Sequence, residues 1–539
     1  MRYPRARALV LSLAAMLIAL PVLIGGTAAG AQDAPKAGGT LTIAFVPLTT
    51  DIDVNARNVS TLNEQAQYFY ETLFDRDATG QVAPLLVRES TVSEDGLVHT
   101  WSLQPDVTFH DGTPFDAEAV KWNLDRKIEL QQPLWDLIPF AAIEVVDPLT
   151  VRVTLTRPSP GMYGVLAAKT WSMYSPSFAA EVGDDGLKNR ASGTGPFVVE
   201  TFVPNEDLVL TKNPTYWQEG LPYLDSVVFR AVPDINARAI QLEAGDVDMA
   251  MDLSIQDIER LRTNSELEIQ EGVGSRQYYI TMNNRKAPLD DVRVRQALNH
   301  AVDKEGIVQA VFLGQYANVA EAVYLNPAVE GFVAAGTYAY DPDRARQLLE
   351  EAGWVDADGD GIREKDGQPL ALTLHTRRGG AAGDIEIAEL VQGMVQEVGV
   401  GLEIILLDSA AFIAEVTKPV EEAQYDLVSL TVGTFTGDAE YIMETFYACD
   451  SAAPRYYNRA YFCDPEVDRL IEESSAIPTL EGRNAIYADI VKRVFDQAPI
   501  LMLFDAVETV AMRSEVEGVY FEPAGVNWPA KYAWLNEGG

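Results

Sequence analysis

Strand-like and helix-like segments alternate along almost the whole of this chain, and that alternation confines it to the α/β class. The clearest stretch begins at Ala371. Ala371–His375 alternates as a strand, then Ile385, Ala388, Leu390, Val391 and Val395 recur at helical spacing. Gly399 stops the helix and Leu402–Leu407 resumes as a strand, which makes one βαβ unit. Asp341-Pro342 opens another helix, with Asp341 as N-cap and Pro342 at the first helical position. Leu348 and Leu349 supply its apolar face and Gly353 ends it, and Asp464-Pro465 repeats the opening before Val467, Leu470 and Ile471. No tandem repeat or low-complexity linker interrupts the pattern.

The N-terminus reads as an export signal. Arg2, Arg5 and Arg7 precede an apolar run from Ala8 to Leu23, and Ala29 and Ala31 form an A-x-A site, which places the cut after Ala31. No Cys near the cut would take a lipid, and no later stretch of 18 residues is uniformly apolar, so a soluble periplasmic protein is expected. A mature chain of 508 of the 539 residues implies two or three domains. Net charge is −39, or −42 without the three signal arginines, which disfavours nucleic acid and anionic lipid as partners and favours a dispersed monomer. Cys449 and Cys463, with thirteen residues between them, read as a disulfide in an oxidising compartment.

Enzyme motifs are missing. The four histidines, His99, His110, His300 and His375, have no metal-ligand spacing, and no H-E-x-x-H, G-x-S-x-G or P-loop occurs. No cofactor is expected. Asp356, Asp358 and Asp360 with Gly361 match the first half of a calcium loop, but its twelfth position is Gly367 rather than Glu. An acidic surface turn is the alternative. His110-Asp111-Gly112-Thr113 reads as a turn, with a catalytic His110–Asp111 pair as the sharper alternative.

Several stretches resemble the peptide-binding proteins of bacterial ABC importers, the extracellular solute-binding protein family 5. They include Gly39-Thr40-Leu41-Thr42, Val107-Thr108-Phe109-His110-Asp111-Gly112-Thr113-Pro114-Phe115 and Ala117-Glu118-Ala119-Val120-Lys121-Trp122. Gly193-Thr194-Gly195-Pro196-Phe197, Gly245-Asp246-Val247-Asp248, Pro288 to Leu298 and Gln497-Ala498-Pro499 follow in order, so the likeness spans nearly all of the mature chain. The resemblance implies a periplasmic-binding-protein-like two-lobed fold with an extra domain, mixed sheets and hinge-linked lobes. Domain I would combine residues 32–74, 197–283 and 504–539; domain II would be 75–196 and domain III 284–503. Ile500–Phe504 would form one strand of the crossover between lobes.

The same resemblance implies a receptor that closes on a short peptide or peptide-like solute and delivers it to an ABC-type permease in the inner membrane. In the Phe435-Thr436-Gly437-Asp438 segment, Asp438 would bind the ligand ammonium, and Arg378, with Arg377 beside it, would clamp the carboxylate. Phe435, Thr436, Gly437, Thr194 and Gly195 are further candidate contacts. The chain departs from the family's usual run after Asp438, continuing as Ala439-Glu440-Tyr441. Relatives of this fold also bind nickel, haem, glutathione, opines or oligosaccharides. Few histidines disfavour an imidazole-bound metal or haem, and a sugar would call for stacking aromatics. A secreted hydrolase on another α/β fold is the remaining alternative, without a nucleophile motif to support it.

Overall fold

The computed structural model describes residues 34–46, 51–57, 59–77, 79–132, 134–377, 383–524 and 528–536. The expected signal segment, its cleavage site and Arg378 lie outside the described residues. Among the described residues no helix is long and apolar enough to cross a membrane.

An eleven-stranded mixed sheet runs through the molecule. From edge to edge its strands are Gly401–Leu407, Ala371–Arg377, Leu427–Val432, Leu267–Met282, Ile500–Arg513, Met249–Met251, Thr40–Phe45, Ser226–Ala231, Leu208–Lys212 and Phe197–Thr201. The short strand Ala317–Val319 pairs beside Ile500–Arg513. The sequence-derived βαβ unit is present: Ala371–Arg377 and Gly401–Leu407 pair in parallel, joined by the helix Asp384–Gln396. Asp341 and Asp464 cap their helices as expected, accepting from the N–H groups of Arg344 (2.8 Å) and Glu466 (3.0 Å).

Two long antiparallel strands run side by side in the middle of this sheet. Leu267–Met282 pairs with Ile500–Arg513 from Leu267 opposite Arg513 to Thr281 opposite Ile500. The register shifts between Val273 and Gln277 and again between Tyr278 and Tyr279, so the ladder is irregular in its middle. There Ser275 gathers three segments. Its N–H donates to the Pro523 carbonyl (2.9 Å), its hydroxyl donates to the Ala524 carbonyl (2.9 Å) and accepts from the Thr434 N–H (3.1 Å).

Residues 75–196 carry a separate four-stranded antiparallel sheet, ordered Val87–Val92, Val98–Leu103, Thr150–Leu155, Phe140–Asp147, with the helix Ala117–Glu129 packed on it. The His110-Asp111-Gly112-Thr113 stretch is a turn here. Asp111 accepts from the Thr113 N–H (3.1 Å) and the Ser175 hydroxyl (2.6 Å), Gly112 has φ +83°, and His110 Nε2 lies 3.0 Å from the Gly195 carbonyl oxygen. Burial pushes the His110 pKa down to about 4, so the ring is neutral at neutral pH.

Thr194 and Gly195, expected as ligand contacts, sit in tight packing. Thr194 is fully buried and donates to Glu71 (2.8 Å). A Cβ on Gly195 would lie 2.7 Å from the Phe69 backbone, so only glycine lets the two chain segments cross this closely. Neither residue lines a cavity that Phe435 or Asp438 lines. The Cys449–Cys463 disulfide is formed. Asp356, Asp358, Asp360 and Glu364 lie with their oxygens within 4.8 Å of one another, and each also accepts from a loop amide, as an acidic turn does.

Candidate ligand-binding site

Three strands end at one place. Ala371–Arg377, Gly401–Leu407 and Leu427–Val432 lie parallel in one layer, and the chain leaving their carboxyl ends builds a cavity of about 290 Å³. Such ends are where open α/β sheets place ligands, because the loops there diverge. Arg377 closes the first strand, the helix Ser409–Val416 after the second contributes Phe412, and the loop after the third contributes Phe435. Arg276, one residue beyond the Ser275 junction, and Ala524 complete the wall from the crossover and the C-terminal segment.

The rest of the wall comes from the segment after Asp438. Tyr441 lies on the short helix Ala439–Ile442 and Phe446 on the π-helical turn Met443–Tyr447. Tyr457 and Arg459 belong to the loop that the disulfide closes. Arg459 is 5.4 Å from the Tyr457 ring centroid and donates through Nε to the Val416 carbonyl (3.2 Å). Arg377 is 5.2 Å from the Phe412 centroid. Arg276 faces Glu508 at 3.4 Å, and that carboxylate raises the guanidinium pKa.

Asp438 lies further along the same seam. The 290 Å³ cavity shares Phe435 with a small void lined by Asp75, Arg76 and Lys169, and that void shares Arg76 with a cavity of about 410 Å³ lined by Asp438, Glu330 and Arg483. Asp438 is 7% exposed and caps the helix Ala439–Ile442 by accepting from the Glu440 N–H (2.6 Å). Arg483 stands 3.9 Å from both Asp438 Oδ2 and Glu440 Oε2, outside hydrogen-bond reach. Glu440 Oε1 and the Arg483 Nε and Nη1 atoms are buried with no hydrogen-bond partner among the described residues. Burial raises the Asp438 pKa although Arg483 opposes it, and burial with Glu444 and Asp438 nearby raises that of Glu440.

Residues 75–196 meet this segment directly. The Gly161 N–H donates to Glu440 Oε2 (2.7 Å), and Arg157 pairs with Glu444 (2.9 Å). A Cβ at Gly164 would lie 2.7 Å from the Thr436 carbonyl oxygen. Thr436 is 1% exposed, and Gly437, at φ +61°, holds its backbone against Arg76.

The family model for bacterial extracellular solute-binding proteins, family 5 Middle, matches residues 81–454. The chain belongs to this family. The glutathione-binding protein GsiB of Salmonella typhimurium is 29% identical over 478 residues, covering 88% of this chain and 90% of that protein. NikA from Brucella suis, solved with Fe(III)-EDTA, superposes with TM-score 0.82 at 25% identity, covering 92% of this chain and all of that one. AppA from Bacillus subtilis, an oligopeptide-binding protein solved with a nonapeptide, gives TM-score 0.80 at 22% identity over 94% of this chain and 100% of that chain. The two-lobed fold of periplasmic binding proteins, implied by the sequence motifs, is thus the fold of this chain, and GsiB and AppA are binding proteins.

Of the residues picked from sequence, Arg377 and Phe435 share the 290 Å³ cavity, Asp438 lines the 410 Å³ cavity, Gly437 lines a further cavity that shares Glu330 with it, and Arg378 lies outside the described residues. Arg276, Arg459, Phe412, Tyr441 and Tyr457 were not legible as site residues. Only Arg459 and Tyr457 carried a signal, their position between the two cysteines.

Proposed function

We propose that this protein is the periplasmic solute-binding component of an ABC importer, without catalytic activity, and that it captures a short peptide or peptide-like solute by closure of its lobes. The observation that carries this reading is the polarity of the seam between the lobes. One end holds Arg276, Arg377 and Arg459, and the other crowds Glu330, Asp438 and Glu440 around Arg483. A zwitterion with its ammonium near Asp438 and its acid group among the arginines matches both ends.

The unpartnered Glu440 Oε1, beside Asp438, supports the same placement, because a buried acceptor without a partner is costly and a bound ammonium would donate to it. Relatives that bind glutathione and a nonapeptide are consistent with it. A second reading, an oligosaccharide, is favoured by the rings of Phe412, Phe435, Tyr441, Phe446 and Tyr457 around the cavity. A thermal-shift screen with dipeptides, tripeptides, cello-oligosaccharides and nickel tests the choice. A ligand at 100 times its Kd adds about 2.7 kcal/mol to stability. A shift with peptides alone is expected; a shift with sugars or nickel alone would overturn the peptide reading.

A further inference from the structure

Asp438 is crowded by acids, and the cation beside it does not bond to it. Glu330 comes from a segment bridged to it: the Glu330 N–H donates to the Gly437 carbonyl (2.8 Å) and the Ala439 N–H to the Glu330 carbonyl (2.9 Å). Glu440 and Glu444 follow on the next turns, and Glu444 is already paired with Arg157. Tyr163, from residues 75–196, lines the same 410 Å³ cavity. Two guanidiniums act on Asp438. Arg76 ends the strand Phe74–Arg76 and donates to the Gly80 carbonyl (2.6 Å); Arg483 lies on the helix Leu480–Gln497.

Arg483 has the geometry of a counter-ion. Its side chain is 4% exposed, it stands 3.9 Å from Asp438 Oδ2 and from Glu440 Oε2, and it lies 5.7 Å from the ring centroid of Tyr487 on its own helix. At 3.9 Å it acts on both carboxylates through its field, which burial strengthens, and takes up none of their lone pairs. Asp438 Oδ1 accepts from the Glu440 N–H, whereas Oδ2 has no hydrogen bond among the described residues and is left for a cation in the cavity. An arginine bonded to Asp438 would fill that oxygen. With no cation beside it, a buried carboxyl takes up a proton and loses its hold on an ammonium. Burial does raise the Asp438 pKa, and Arg483 is the foremost group opposing it.

We propose that Arg483 is a positioning residue for ligand binding: it keeps Asp438 ionised without occupying Oδ2, and so sets the lower pH limit at which the protein takes up a solute ammonium. The inference rests on the reading of Asp438 as the ammonium site, and Arg483 acts through Asp438.

The pH profile of tripeptide affinity, read by calorimetric titration of the mature protein, tests this. Affinity should fall at the alkaline end in the parent and in every variant alike, because the peptide ammonium itself titrates at about pH 8. The acid limb belongs to Asp438. In Arg483→Gln it should move up by about 1–3 pH units, the effect of an opposite charge at this distance on a carboxyl. Arg483→Lys should recover most of that displacement. An acid limb that stays in place in Arg483→Gln, with affinity lost equally at every pH, would overturn the inference and leave a peptide receptor. If Arg483→Gln does not fold, Arg483→Lys decides: an acid limb displaced upward by about one pH unit or more would show that the charge is not what matters. A pool of N-acetylated tripeptides separates this claim from the reading beneath it. The acetylated pool should bind much more weakly to the parent; equal affinity for both pools, or binding of neither, would overturn the ammonium reading and this inference together.

Discussion

The guanidinium of Arg459 lies 5.4 Å from the centroid of the Tyr457 ring, and both residues belong to the loop that the Cys449–Cys463 bond closes. The disulfide therefore holds one charged and one aromatic wall of the cavity to the turn that carries Phe446. Covalent closure restricts the loop before ligand arrives, which lowers the entropy cost of binding.

Replacing both cysteines by Ser should cost about 3 kcal/mol of stability, the chain-entropy value for a loop of this length. Ligand affinity should fall as well, because Tyr457 and Arg459 lose their fixed placement. Chemical denaturation and calorimetry read the two effects separately, and unchanged affinity would show that the loop is held by packing alone.

Asp438→Asn keeps the side-chain oxygen that caps Ala439–Ile442 and removes the charge. If Asp438 takes the ligand ammonium, peptide affinity should fall by roughly 2–5 kcal/mol, since the partner charge is left desolvated. Thermal stability without ligand should change little. A variant that binds the ligand as tightly as the parent would remove Asp438 from the site.

Asp505 lies on the crossover opposite Gln277, whose amide donates to it at 2.9 Å. Burial pushes its pKa up to about 7 from 3.8, with the Gln277 bond opposing. A raised folded-state pKa gives stability that is fully present below the unfolded value and is lost as pH rises through about 7. Asp505→Asn retains the acceptor and cannot ionise. It should raise Tm at pH 8 and have a smaller effect at pH 5, with an upper limit of about 4 kcal/mol. Melting curves at the two pH values check the sign.

Gly437→Ala should be destabilising. At φ +61° a Cβ is strained, at a cost of about 1–2 kcal/mol, and here it would also lie 2.6 Å from the Ala524 Cβ and 2.8 Å from Arg76 Cζ. Because Arg76 and Ala524 come from other segments of the seam, ligand affinity should fall along with Tm. A loss of Tm with affinity intact would assign Gly437 to local backbone geometry alone.

Much of the fold was readable from short-range rules. The Asp341-Pro342 and Asp464-Pro465 helix starts and the Ala371–Leu407 βαβ unit depend on local chemistry, and they stand as read. The cavity was only partly readable, for a geometric reason. Arg377 and Phe435 follow strands in the chain and could be placed by that fact, whereas Arg276 reaches the site from the irregular middle of a crossover strand and Phe412 from a helix face. At Gly195, picked from sequence as a contact, the structure adds a packing demand that local sequence does not carry, since a Cβ there would lie 2.7 Å from the Phe69 backbone.

The central claim is that the lobes close on a bound solute. Small-angle X-ray scattering of the mature protein, with and without a saturating pool of tripeptides, tests it most directly. The account predicts a smaller radius of gyration with the pool and no chemical change in the recovered peptides. An unchanged radius of gyration with ligand demonstrably bound, or peptides recovered cleaved, would contradict it.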